Sequence, residues 1–286
     1  MNKIFSSLKY IFFRILITYG IKNLNIEKAG RDDNTCYVKI RNGYIFYGSE
    51  ARKKDYKYYC LLPKKIRAIL PFSCYTIAMD IIIRNIRGGL KLGGPRKEKF
   101  YQVKSGDIVA EMGAYRGYYC MYLSKQVGPG GRVIAIEPLE SNLHFLKKNI
   151  DSNNLTNVTI IPKGVWKKSD TLTFRRSEDD YQSSSIRLNY EEADEFQVKV
   201  DSLDTIFREQ KLDKIDFTII QLNGAELEAL EGLDTYQPMN MAIAARYSKG
   251  EIPVSKLIKR HLEAKHYRVT ISARDYVFAK KEAYHP

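Results

Sequence analysis

The chain has 286 residues, enough for one large domain with an accessory segment or for two small domains. A hydrophobic content of 44% is that of a globular protein and excludes collagen-like or disordered chains. The net charge of +14 is unevenly placed: Met1 to Lys104 carries 22 Lys+Arg against 7 Asp+Glu, a net +15, and the remainder carries 25 against 26. A neutral domain behind a basic leader points to a docking surface rather than to an enzyme that is basic throughout.

Residues Met1 to Ile21 are apolar with helical periodicity: Ile4, Phe5, Leu8, Ile11, Phe12, Ile15, Leu16 and Tyr19 fall at i, i+3, i+4 spacing. Lys3, Lys9 and Arg14 interrupt the run, which is too short to span a bilayer, and no small-residue cleavage site follows. Two readings stand open, a helix packed on the main domain or an amphipathic helix lying in a membrane interface. Tyr37 to Tyr47 alternates as a hairpin with Asn42-Gly43 at its turn. Basic residues from Lys53 to Arg67 then interleave with Tyr56, Tyr58 and Tyr59, and Gly88-Gly89 and Gly93-Gly94-Pro95 mark loops. The expected division is a basic helical and β segment over 1–100 and a second domain over 101–286.

After Lys104 strands alternate with helices. The apolar runs Ile108–Met112, Arg132–Ile136, Val158–Ile161, Phe217–Leu222 and Met241–Ala245 read as core strands, with helices over Tyr118–Gln126, Ser141–Asn149, Glu226–Leu230 and Val254–Ala264. Asp204–Glu209 reads as a further short helix. Thr171–Phe174 and Gln197–Val200 are extra strands, and Tyr267–Ile271 with Tyr276–Lys280 form a closing antiparallel pair. Such alternation indicates an α/β fold with a mostly parallel sheet.

Cys36, Cys60, Cys74 and Cys120 form no C-x-x-C pair and are read as reduced thiols of a cytoplasmic protein. The four histidines show no ligand spacing, so no metal is expected. The chemistry concentrates in Glu111-Met112-Gly113-Ala114-Tyr115-Arg116-Gly117, between a strand and a helix. Glycines there permit positive φ and close approach of a ligand, and the helix start favours an anionic group. Glu111 is placed to accept from a ligand ammonium. Glu137, 26 positions later at the end of the next strand, is placed to accept both hydroxyls of a ribose. The base of such a nucleoside would lie near Lys163, Gly164 and Val165. The glycine spacing departs from the G-x-G-x-x-G of NAD sites.

VAEMGAYRGYY from Val109 and VIAIEPLESNLHFLKKNI from Val133 resemble motifs of the FkbM family of S-adenosylmethionine-dependent methyltransferases. So do VKVDSLDTIF from Val198 and IDFTIIQLNGAELEALEGL from Ile215. The similarity runs from about Tyr101 to Lys281. It implies a Rossmann-like class I methyltransferase with a seven-stranded sheet, and O-methylation of a saccharide, glycan or natural-product hydroxyl as in polysaccharide biosynthesis. It places S-adenosylmethionine contacts on Glu111, Gly113, Ala114, Gly117, Glu137 and Asn142.

The sequence also departs from that pattern. The first motif usually reads D-x-G-A-N, where this chain has Glu111 and Tyr115. The fourth strand usually ends in I-D-V-E-G-x-E; here Gln221 and Asn223 replace the two acids and only Glu226 remains. Amides hydrogen-bond but are not bases near neutral pH. Glu226 is therefore the candidate base, Gln221 and Asn223 candidates to position the acceptor, and Glu228 a surface acid. Three outcomes follow: transfer by orientation alone, an acceptor such as an amine, or cofactor binding without transfer. The polar loop from Ser177 to Glu195 is a candidate cover for the acceptor through Tyr181 and Ser183–Ser185. Partners expected are a small-molecule or glycan acceptor and a membrane surface met by the first helix, with nucleic acid disfavoured. An RNA or DNA methyltransferase is the competing reading, motivated by the basic, Tyr-rich segment.

Overall fold

The computed structural model describes residues 24–32, 35–60, 62–88, 100–177, 184–185, 193–272 and 275–282. The expected first helix over Met1 to Ile21 lies outside them, as do Tyr181 and Ser183. Among the described residues no helix is long and apolar enough to cross a membrane. The chain divides into two compact units, one of Met1–Arg96 with Lys147–Asn154 and one of Lys97–Leu146 with Leu155–Pro286.

In the first unit β1 (Ile26–Asp32), β2 (Thr35–Ile40) and β3 (Ile45–Gly48) form an antiparallel meander. The Asn42-Gly43 turn falls between β2 and β3, with Gly43 at φ 93°. β1 was not anticipated, because its sequence IEKAGRD is mostly polar and its side chains are mostly exposed. The basic, Tyr-rich stretch folds as two single-turn helices, Tyr56–Tyr59 and Lys64–Arg67, ahead of α1 (Tyr75–Gly88). Its aromatics pack on one another: the Phe72 ring stands edge-on to Tyr56 at 5.1 Å and lies 5.4 Å from Tyr59.

The second unit is built on β4 (Ile108–Met112), α2 (Tyr118–Val127), β5 (Arg132–Ile136), the first half of α3 (Glu140–Ser152), whose residues from Lys147 belong to the first unit, and β6 (Val158–Ile161). A side sheet follows, of β7 (Gly164–Val165), β8 (Asp170–Ser177), β9 (Ser184–Ser185) and β10 (Ala193–Asp201), in the order β7-β10-β8-β9. The core resumes with α4 (Leu203–Glu209), β11 (Phe217–Ile220), α5 (Glu226–Glu231) and β12 (Asn240–Ala244). A small hairpin, β13 (Ser248–Lys249) and β14 (Ile252–Pro253), precedes α6 (Val254–Glu263), β15 (Tyr267–Ile271) and β16 (Tyr276–Lys281).

The central sheet has seven strands in the order β15-β16-β12-β11-β4-β5-β6. The five from β12 to β6 are parallel, and β16 enters antiparallel between β12 and β15. This is the class I methyltransferase arrangement. Strands covered by helices on both faces read as continuous apolar runs, as FTII of β11 and the VIAI of β5 do. α6 shows the complementary pattern: Val254, Ile258 and Leu262, four residues apart, are all buried in the core with Phe207 of α4 and Leu230 of α5. Strand order reverses at β4, with β5 on one side and β11 on the other, and that switch point is where such sheets bind ligands.

Candidate functional site

The loop leaving β4 is sewn to the end of β5. The backbone N–H groups of Gly113 and Ala114 both donate to the Ile136 carbonyl, at 2.9 and 3.0 Å. The next N–H, of Tyr115, donates to Glu137 Oε2 at 2.8 Å. Three of the five loop residues take the left-handed conformation: Gly113 at φ 77°, Tyr115 at φ 55° and Gly117 at φ 77°. A Cβ on Gly113 would run into the Gln221 carbonyl oxygen, so glycine there lets β4 and β11 close up at their ends.

Glu137 is 4% exposed and is the pin of this arrangement. Besides Tyr115 it accepts from the Leu139 N–H and from Asn142 Nδ2, each at 3.1 Å through Oε1. Glu111, on β4 and 1% exposed, accepts a hydrogen bond from the Cys120 thiol at 2.9 Å. Cys120 was not singled out from the sequence; its place in the first turn after Gly117, on a helix packed over β4 and β5, is the signal that could have found it. Arg116 was missed as well. It is buried, its guanidinium 4.8 Å from the Tyr115 ring centre and 5.0 Å from that of Phe145.

At the end of β11 the Gln221 N–H donates to the Met112 carbonyl at 3.1 Å, extending the ladder by one residue. Asn223 (φ 52°) and Gly224 (φ 109°) then turn the chain into α5. Glu226 is fully buried, and its two oxygens accept from the N–H groups of Leu222 and Gly224 at 3.1 and 2.9 Å. That is the geometry of a brace for the turn that presents Gln221 and Asn223. Glu228, expected at the surface, is buried at 7% exposure with Lys249 Nζ 3.8 Å from one oxygen. The short helix α5 turns this face inward against the core.

Gly164 lies in β7 opposite Val200, and a side chain there would meet Val200 and Val198, so its small size serves the packing of β10. Neighbouring Lys163 bonds Asp201 and Glu209, at 3.1 and 2.9 Å. Burial pushes the Asp201 carboxyl up, but hydrogen bonds from Ser169, Lys163 and the Ser202 N–H outweigh it and hold the group below the usual range. The structure thus brings Glu111, Gly113, Ala114, Gly117, Glu137 and Asn142 to adjoining strand ends, with Gln221, Asn223 and Glu226 beside them. Of the polar loop after β8, Ser184–Ser185 pair with Arg175 and Arg176 of that strand.

Residues 111–278 match the family model described as the methyltransferase FkbM domain. No curated protein matches the chain. Among solved structures it resembles methyltransferase FkbM of Methylobacillus flagellatus at 18% identity and TM-score 0.42, over 67% of this chain and 46% of that one. It spans, therefore, about half the length of that protein (46%). It also resembles Aeropyrum pernix fibrillarin, solved with bound S-adenosyl-L-methionine, at 12% identity and TM-score 0.42, over 90% and 98% of the two chains. Precorrin-6y C5,15-methyltransferase of Geobacter metallireducens is similar at 15% identity and TM-score 0.41, over 65% and 86%.

Proposed function

The chain belongs to the FkbM methyltransferase family, and on that premise we propose that it transfers a methyl group from S-adenosylmethionine to a hydroxyl of a saccharide or related acceptor. The observation that carries this reading is the pinned loop: Gly113, Ala114 and Tyr115 are held by Ile136 and Glu137 at adjoining strand ends. The donor set suits the cofactor, with two carboxylates, Glu111 and Glu137, set on adjacent strands for an ammonium and a ribose. Glu137 already takes three N–H donors, and a carboxylate has about four lone-pair sites.

When bound, S-adenosylmethionine would supply an electrophilic methyl carbon for in-line attack by the acceptor oxygen, with S-adenosylhomocysteine leaving as a neutral thioether. The protein's part is to orient that oxygen, which alone can remove several kcal/mol of barrier, about 7–11 at best. Gln221 and Asn223 hydrogen-bond the acceptor, and Glu226 keeps their turn rigid. Buried and accepting from the N–H groups of Leu222 and Gly224, Glu226 serves as the brace of that turn. The hydroxyl proton then passes to water.

Calorimetry of the full chain with S-adenosylmethionine and S-adenosylhomocysteine tests the cofactor site. Binding by the wild type and its loss in Glu137→Ala are expected, with a thermal melt to check folding. Undiminished binding by a folded variant would remove Glu137 from the site. Transfer of a labelled methyl group to a saccharide panel tests the reaction. Gln221→Ala and Asn223→Ala should lower kcat at unchanged cofactor affinity, and transfer to amines alone would overturn the hydroxyl reading.

A further inference from the structure

The sheet neighbour of β11 on its far side from the cofactor loop is β12, parallel to it with Ile220 opposite Ile243. Two residues past the end of β12 stands Arg246, an exposed cation that the sequence reading passed over. It is not a free-swinging surface arginine. Its Nη2 donates to Tyr276 Oη at 2.8 Å, and the guanidinium lies 5.2 Å from the centre of the Tyr276 ring. Tyr276 is itself buried and is fixed as the first residue of β16, opposite Ala244. The Tyr276 hydroxyl thus orients Arg246 while using one of its five N–H donors. Among the described residues Arg246 forms no ion pair, whereas nearby Lys249 faces Glu228.

Asp275, whose carbonyl accepts from the Ala245 N–H beside Arg246, has its carboxylate turned to the Ser255 hydroxyl at 3.0 Å. Gln221 and Asn223 are neutral where relatives of this pattern carry acids. The remaining acids of that turn, Glu226 and Glu228, are buried, and Glu226 has both oxygens turned to the backbone. Neighbouring strands lie roughly 5 Å apart, a gap that an arginine side chain spans. The end of β11 at Gln221–Asn223 thus lies between the cofactor loop at Gly113 and the end of β12, beyond which Arg246 reaches Tyr276 of β16.

We propose that Arg246, oriented by Tyr276, recognises an anionic group on the acceptor, so that the methylated saccharide carries a carboxylate or a phosphate. A planar guanidinium with several open donors suits either group. The proposal rests on the reading that the acceptor lies over the ends of β11 and β12.

The test is calorimetric titration of the full chain, saturated with S-adenosylhomocysteine, with glucose, glucuronate and glucose 6-phosphate. These share a ring and differ at C6. At least one charged sugar should bind about tenfold or more tightly than glucose, the effect of one charge-assisted contact. Arg246→Met should bring it to the level of glucose and leave S-adenosylhomocysteine affinity within about twofold. Tyr276→Phe should lose part of the preference. A preference for the carboxylate or for the phosphate tells the two sources apart. Equal binding of all three sugars, binding of none, or a preference surviving Arg246→Met overturns the proposal. Failure of S-adenosylhomocysteine to bind the wild type would instead sink the methyltransferase reading on which it rests.

Discussion

At Glu111 a hydrogen bond from a thiol helps to set the direction of a buried carboxylate. The Cys120 thiol donates to Oε2 from α2, and both residues are at most 1% exposed. If Glu111 receives the cofactor ammonium, removing the thiol lets the carboxylate rotate. Cys120→Ala should weaken S-adenosylhomocysteine about tenfold, the scale of a hydrogen bond to a charged group. Binding of 5′-methylthioadenosine, which has no ammonium, should be unchanged, and Cys120→Ser should restore the first ligand. Equal losses for both ligands would make Cys120 a packing residue only. Tyr115 poses the opposite balance. Its left-handed backbone costs a non-glycine residue about 1–2 kcal/mol, and asparagine, the residue usual in the resembling motif, tolerates it better. Yet the ring is buried, edge-on to Tyr118 and against Arg116, and truncating a buried aromatic costs about 3–5 kcal/mol. Packing wins, so Tyr115→Asn should destabilise by about 2 kcal/mol, read as a lower urea midpoint at unchanged slope. A rise in the midpoint would mean that strain dominates.

Among the elements, the helix-to-turn connections around α4 carry the pH dependence of the fold. Asp204, in the first turn of α4, accepts from the N–H groups of Asp234, Thr235 and Tyr236 at 2.9, 2.8 and 3.0 Å. Burial raises its pKa, but the three N–H bonds outweigh that, and the net effect is a lowered value. Asp201 is lowered in the same sense. His261 is lowered chiefly by burial, with Lys265 adding to it. A depressed folded-state pKa means that protonation favours the unfolded chain. Stability is then full at neutral pH, begins to fall below about 6.5 as His261 titrates, and falls further below about 4 as the two aspartates do. Asp204→Asn should cost about 1 kcal/mol at pH 7, after allowance for the part-exposed carboxylate. The gap between the variant and the wild type should narrow as the pH falls below about 4, as thermal melts across that range will read. A constant gap would show that charge plays no part. At this scale the sequence was informative where one pattern dominates: β4, β5, β6 and β15 begin and end where their apolar runs do. It was silent where long-range contacts decide. Nothing in ELEALE says that Glu228 faces inward, and nothing in the polar run of β1 marks a strand that only its neighbour holds. The candidate cofactor residues were legible because strand ends fix their positions; Cys120 and Arg246 were not, because their meaning lies in partners 9 and 30 residues away.

For the whole molecule, the family match over 111–278 leaves open what the basic front of the chain contributes. The first unit includes Lys147–Asn154 as well as Met1–Arg96, and two asparagines explain why. Asn149, fully buried, accepts from the Tyr47 N–H at 2.7 Å and donates to the Tyr47 carbonyl at 3.2 Å. Asn153 does the same with Ile45, at 3.0 and 2.8 Å. The two carboxamides pair with β3 as a neighbouring strand would. A chain starting at Lys97 keeps α3 but loses these four bonds, together with the Lys148 ammonium over the Tyr47 ring at 4.4 Å. Freed amides regain water, so the cost is the net worth of each bond, about 1 kcal/mol, or roughly 4 kcal/mol in all. For a unit of this size that lowers the melting temperature by roughly 10 °C. Every residue assigned to the cofactor lies in 111–165, so the shortened chain should still bind S-adenosylhomocysteine, within about threefold of the full chain at temperatures well below its melt. Calorimetry of both chains reads both quantities. An unchanged melt would mean that the asparagine pairs contribute nothing. A folded shortened chain that no longer binds would place part of the cofactor site in the first ninety-six residues, where neither the motifs nor the family match put it.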